Sequence, residues 1–158
     1  MVMGICLRYA QREDLAQDIF QDVFVKVFTQ LDRLENEAAL PGWIKSITIR
    51  EAINAYQHQI RRSHETLDEI PESHQRIDLD LSILEGLDQE KLLALIQSLG
   101  NSHRMVFNLF CIEGYNHKEI GERLQISESS SRVYLSQAKK TLQEKILFLE
   151  NPKKIAYG

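Results

Sequence analysis

Residues 113–142 read EGYNHKEIGERLQISESSSRVYLSQAKKTL, and the reading of this stretch decides the fold. Asn116 followed three residues later by Glu119 forms a capping box, in which the Asn side chain accepts an amide hydrogen bond while Glu119 reaches back to the cap. A helix is therefore predicted over 117–124. Only Gln125, Ile126 and Ser127 follow before the Ser127 hydroxyl is placed to cap a second helix, predicted over 128–149. Two helices meeting across so short a turn have helix-turn-helix spacing. In the second helix Ser131, Leu135, Ala138 and Leu142 share one face, which Ile120, Leu124 and Ile126 are placed to cover, so that face is expected to be core. The opposite side presents Arg132, Val133, Ser136, Gln137 and Lys140.

That opposite side has the chemistry of a recognition helix. Arg132 and Gln137 offer paired hydrogen bonds to base edges in a major groove, and Lys139 and Lys140 offer charge to phosphates. Working back toward the N-terminus, the apolar spacing predicts helices over 91–99 and 103–112, which would complete a four-helix domain over 91–150 with a tail at 151–158. The firmest helix of the first half spans 14–34, where Leu15, Ile19, Phe20, Val23, Phe24, Val27, Phe28 and Leu31 recur at helical spacing and are expected to be buried, with Asp14 as a cap or first-turn charge. Pro41 suits the first turn of another helix, which runs through Trp43, Ile44, Ile47, Ala52, Ile53 and Tyr56 to about residue 62. Trp43 is expected to be mainly core. Residues 1–10 read as the back half of a helix with no start signal ahead of it.

The net charge of −4 averages over an uneven chain. Over 63–90 nine carboxylates oppose Arg76 alone, a charge of −8; over 91–158 ten Lys and Arg oppose six Asp and Glu, a charge of +4; and over 1–62 eight oppose eight. The basic surplus thus falls on the helix-turn-helix unit, as contact with nucleic acid requires. The acidic surplus falls on a segment that contains Pro71 and few apolar residues, which reads as a linker. The expected fold is all-α: two small helical domains, 1–62 and 91–150, joined by an acidic linker over 63–90. No stretch approaches the roughly 20 apolar residues of a membrane span, and no signal sequence opens the chain, so a cytoplasmic protein without membrane insertion is expected. Cys6 and Cys111 stand alone, outside any spacing for a disulfide framework or a thiolate metal site. No cofactor, metal or catalytic group is expected.

Residues 95–142 resemble, over their whole length, the promoter-distal domain of extracytoplasmic-function sigma factors of bacterial RNA polymerase, most specifically in EGYNHKEIGERLQIS. The first half resembles the family's other domain. Asp18-Ile19-Phe20-Gln21-Asp22-Val23-Phe24 looks like the family's D-x-x-Q-E-x-F, and Trp43-Ile44-Lys45-Ser46-Ile47 like its W-L-x-x-I. The resemblance implies a sigma factor that directs core RNA polymerase to promoter DNA, with an anti-sigma factor as a further partner. It implies that Asp18, Gln21 and Asp22 dock on the polymerase clamp. It implies that the 35–40 loop holds a base flipped from the melted minus-ten element, and that Arg50, Asn54, Arg61 and Arg62 follow that strand. Ser130, Arg132, Val133, Ser136 and Gln137 would contact the minus-thirty-five duplex.

This sequence departs from the family at Gly100, where proline is usual, at Arg50, where asparagine is frequent, and at Ser129-Ser130-Ser131, where Gly-Thr and a small or apolar residue are usual. The family's additional N-terminal helical stretch is absent, so an incompletely packed first domain is expected. The rival readings are a helix-turn-helix transcriptional regulator with a helical N-terminal partner-binding module, a decoy that binds polymerase or an anti-sigma factor without reading promoters, and a carboxylate-rich helical enzyme. The last would use Asp14, Asp18 and Asp22 at i, i+4 and i+8, but no Glu-x-x-His or HExxH partner motif accompanies them.

Overall fold

A computed structural model describes residues 1–63, 84 and 86–150. The acidic linker, apart from its ends, and the 151–158 tail lie outside the described residues. Among the described residues the regular structure is helical throughout, with no strand. The chain divides into two compact units, Met1–Asp68 and Glu69–Gly158.

The first unit is a three-helix arrangement of α1 (Val2–Tyr9), α2 (Glu13–Gln30) and α3 (Leu40–Ser63), in which each helix packs on the other two. Helix α2 starts where Arg12 is extended. Its first turn carries Glu13 and Asp14, which suit the positive end of the helix dipole. Asp14 is thus a first-turn charge and not the cap, and the Arg12 guanidinium, 3.0 and 2.5 Å from its two oxygens, holds its carboxyl below the usual carboxylate range. A single 3₁₀ turn, Leu31–Arg33, ends α2 earlier than its apolar spacing suggests, and a second one, Glu37–Ala39, leads into α3. Asn36 caps that second turn by accepting from the Ala38 amide at 2.9 Å. Pro41 lies in the first turn of α3, where its missing N–H costs nothing.

Ile5, Cys6, Tyr9, Ala16, Ile19, Val23, Val27, Ile47, Ala52, Ile53 and Tyr56 form the core of this unit. The α2 stripe is only partly covered. Of the eight apolar residues expected to be buried, Ile19, Val23 and Val27 are; Leu15, Phe20 and Phe24 are half-buried; Phe28 is 73% exposed and Leu31 is also exposed. Phe20, Phe24 and Phe28 follow one another along the helix with tilted rings, 4.7 and 6.2 Å between centroids. Trp43 is half-buried. Burial pushes the Cys6 thiol up to about 11.

The second unit contains α4 (Gln89–Gln97), α5 (Asn101–Phe107), α6 (His117–Leu124) and α7 (Glu128–Glu150). Asp88 caps α4 by accepting from the Lys91 amide at 2.9 Å, so this helix begins a little before residue 91. Helix α5 widens into a π-helical stretch, Asn108–Ile112, and the chain then turns at Gly114, whose φ of +81° suits a residue without Cβ. Helices α5 and α6 pack on α7 around a core that includes Leu95, Ile96, Leu99, Met105, Val106, Phe107, Leu109, Ile120, Leu124, Leu135, Ala138 and Leu142.

Arg104 lies inside this core, 2% exposed. Its guanidinium donates to the carbonyls of Leu99 at 2.6 Å and Gln97 at 3.4 Å and to Asn101 Oδ1 at 2.7 Å. It thereby satisfies carbonyls at the end of α4 that helix geometry leaves without partners. Burial pulls its pKa down to about 10, so it remains charged at neutral pH.

Candidate nucleic-acid interface

The interface is built on α6, the turn after it and α7. Both bonds of the capping box are present: Glu119 N–H donates to Asn116 Oδ1 at 3.0 Å, and Asn116 N–H donates to Glu119 Oε2 at 2.8 Å. Helix α6 therefore starts where the sequence predicts. It ends at Gln125, which takes the left-handed conformation (φ 59°, ψ 44°) that non-glycine residues adopt at a cost. The cost is offset by what the bend allows: the Ile126 amide returns to the Gly121 carbonyl at 3.0 Å, and the Ser130 amide finds Ser127 Oγ at 2.9 Å, which caps α7. Gly121 is where the two elements come closest. A Cβ there would stand 2.8 Å from the Ile126 carbonyl oxygen.

With α6 so placed, the orientation of α7 is fixed. Ser131, Leu135, Ala138 and Leu142 are buried, as their shared face predicts. His117 locks the start of this contact, with Nδ1 3.0 Å from Ser131 Oγ and its ring stacked on Phe110 at 4.6 Å. On the other side Arg132 and Lys140 are exposed, while Ser130, Ser136 and Lys139 are half-buried. Arg132 pairs with Glu128 one turn earlier on the same helix.

Val133 departs from expectation. It is 7% exposed, turned inward with its neighbour Tyr134, and is part of the core; it offers no surface to a ligand. Gln137 is half-buried, and its Oε1 lies 2.6 Å from His103 Nε2 of α5. The face predicted from α7 alone is thus narrower: Val133 is buried, and His103 of α5 engages the Gln137 oxygen. The sequence reading did not anticipate His103 in this role.

In the first unit Asp18, Gln21 and Asp22 are all exposed along α2, at spacings of three and one that keep them on one side. Arg50, Arg61 and Arg62 are exposed on α3, the last two in its final turn, where cations suit the helix dipole. Asn54 is half-buried, its amide nitrogen 3.4 Å from both oxygens of Glu51. Glu51 is itself buried and pairs with Lys26 at 2.7 Å, and Arg50 Nε lies 3.8 Å from it. This carboxylate ties α2 to the middle of α3, a link that no local pattern announces. Residues 35–39 are exposed around the Glu37–Ala39 turn, with Leu40 half-buried.

Among the described residues no group of three or more His, Cys, Asp or Glu side chains is placed to hold a metal ion. None of the described helices is long and apolar enough to cross a membrane.

A helix-turn-helix with an exposed arginine and lysine on its second helix, in a chain whose other unit is a separate helical bundle, defines a DNA-binding protein of transcription. Comparisons with known proteins narrow this. Residues 1–62 match the model of Sigma-70 region 2, and residues 89–142 match that of Sigma-70, region 4. Among solved structures the chain is similar to the sigma factor RpoE from Bartonella quintana, which was crystallised in complex with the anti-sigma factor NepR. The TM-score is 0.54 at 18% identity, over 94% of this chain and 91% of that one, a likeness of fold. No curated protein matches the chain by sequence. The chain belongs to the sigma-70 family, whose regions 2 and 4 its two matched stretches are. Its function is that of a sigma factor, directing core RNA polymerase to promoters for the initiation of transcription.

Proposed function

We propose that this sigma factor reads promoters with two surfaces, one on each unit, and that the polymerase holds them at the separation that makes their weak contacts additive. In the first unit, residues 1–62, Asp18, Gln21 and Asp22 dock on the polymerase clamp. The 35–40 loop receives a base flipped from the melted minus-ten element, and Arg50, Asn54, Arg61 and Arg62 follow the separated strand. Opening the duplex there costs a few kcal/mol, offset by stacking and pocket contacts. Residues 63–90 link this unit to the second, residues 91–150, in which α7 enters the major groove of the minus-thirty-five element. There Arg132 and Gln137 face base edges, Ser130 and Ser136 make the smaller contacts, and Lys139 and Lys140 meet phosphates. Val133 has no place in this set, since it is core.

The solved relative bound to NepR supports an anti-sigma factor as a further partner. The protein works in the cytoplasm, beside the polymerase. No catalytic group, cofactor or metal takes part; the chemistry of RNA synthesis belongs to the polymerase.

The observation that carries this reading is the exposed Arg132 guanidinium on the second helix of a turn fixed by the Asn116–Glu119 box and Gly121. The test is run-off transcription with core polymerase on templates randomised over the minus-thirty-five element. Arg132→Ala is expected to lose about 1–3 kcal/mol of discrimination at one position, while Lys140→Ala weakens every template alike. Equal losses on all templates for both variants would reject this division of labour.

A further inference from the structure

Gln137 is held from behind by a residue of another helix. His103, near the start of α5, places Nε2 2.6 Å from Gln137 Oε1. A carbonyl oxygen only accepts, so the ring nitrogen is the donor, and the oxygen end of the Gln137 amide is committed inward. Two further contacts fix the imidazole. Tyr134 meets it edge to face, with 5.2 Å between centroids and 80° between planes. A Cβ at Gly100 would stand 3.1 Å from Nδ1. Gly100 has φ −58° and ψ 156°, a backbone conformation open to any residue type. What glycine supplies at this position is the space that the imidazole occupies.

The geometry points to His103 as a positioning residue for promoter reading: by holding the oxygen of Gln137, it leaves the amide nitrogen as the group that Gln137 offers to the groove. This rests on the reading of α7 given above and deepens it. A glutamine that recognises adenine uses both ends of its amide, accepting from N6 and donating to N7. With the oxygen turned onto His103, the amide nitrogen is the end of Gln137 offered first to the groove, and the base pair it meets is selected for acceptors, guanine N7 and O6 first among them. Gly100 and His103 then act together, the first by making room and the second by orienting.

The test uses the full chain with core polymerase and selection of initiating templates randomised over the minus-thirty-five element. Gln137→Ala first identifies the base pair that Gln137 reads, and guanine is expected there in the wild-type selection. His103→Leu is expected to move that one position toward adenine by about fivefold or more, leaving the position lost in Arg132→Ala unchanged. His103→Gln, which keeps a donor, is expected to retain guanine. Gly100→Ala, which pushes on the ring without asking anything of the backbone, is expected to shift the same position in the same direction as His103→Leu. Should a thermal melt show that His103→Leu does not fold, Gly100→Ala and His103→Gln decide. Adenine preferred by the wild type at this position overturns the inference. So does a preference left unmoved by His103→Leu and Gly100→Ala while Gln137→Ala moves it. If Gln137→Ala and Arg132→Ala alter no position, the failure lies in the reading of α7 itself.

Discussion

Replacing Arg104 by methionine isolates the polar anchor of the second unit. Methionine fills the space of the arginine stem but supplies no donor to the carbonyls of Leu99 and Gln97 or to Asn101 Oδ1. The two short bonds, at 2.6 and 2.7 Å, are charge-assisted and worth about 1.5–3 kcal/mol each, or roughly 3–6 kcal/mol together. Against this stands the cost of burying a guanidinium, the same cost that pulls its pKa down to about 10, and methionine is spared it. The Leu99 carbonyl, in a dry core, is left without its donor at about 1–3 kcal/mol, whereas Asn101 is half-buried and can turn to water. The expected loss is about 2–4 kcal/mol, a large share of the ~5–15 kcal/mol typical of a folded domain. Urea denaturation followed by far-ultraviolet circular dichroism reads it, together with hydrogen exchange at the amides of α5, which should lose protection. A change below about 1 kcal/mol would show that desolvation cancels the three bonds, and would refute the anchoring role.

Three further outcomes follow from the same structure. Gly121→Val places a branched side chain where even a Cβ stands 2.8 Å from the Ile126 carbonyl, and should cost about 1–3 kcal/mol in thermal unfolding while lowering promoter-specific transcription; an unchanged melting temperature would mean that the turn yields freely. Asn116→Ala removes one half of the capping box and should destabilise the second unit by about 1 kcal/mol, measured by urea titration. Lys26→Met leaves the buried Glu51 carboxylate without its 2.7 Å partner and should destabilise the first unit by about 1–2 kcal/mol, followed by Trp43 fluorescence, with the added change Glu51→Gln restoring much of the loss.

What was legible in the sequence was what local chemistry decides. The span of α6 follows from Asn116 and Glu119, whose reciprocal bonds involve only residues three apart, and the Ser127 cap follows from an equally short range. The core face of α7 was legible because four residues at helical spacing agree on it. Val133 was misread because its neighbours in sequence leave its side open, whereas in the folded unit it is buried. His103 escaped notice for the same reason, since nothing near residue 103 mentions Gln137. The error at Phe28 ran the other way. Phe28 continues the four-residue spacing of Phe20 and Phe24, beside the stripe of Ile19, Val23 and Val27, but periodicity does not say how wide a stripe the neighbouring helices cover, and in this unit α1 and α3 cover less than the sequence offers. Glu51 shows the limit of reading charge from composition: a carboxylate that entered only the net-charge count is a buried crosslink.

The ion pair between Arg132 and Glu128 bears on how the protein searches. In the free molecule Arg132, the arginine proposed to read the promoter, already has an anion of its own one helical turn away, so on that reading it gains little by exchanging the carboxylate for a passing backbone phosphate. A guanine edge that takes the guanidinium in two aligned bonds is a better bargain, and only there does the swap become favourable. If α7 reads promoter DNA as proposed, Glu128 is a competitor that travels with the protein, thinning out stray encounters along the duplex and leaving the arginine to be released where the sequence matches.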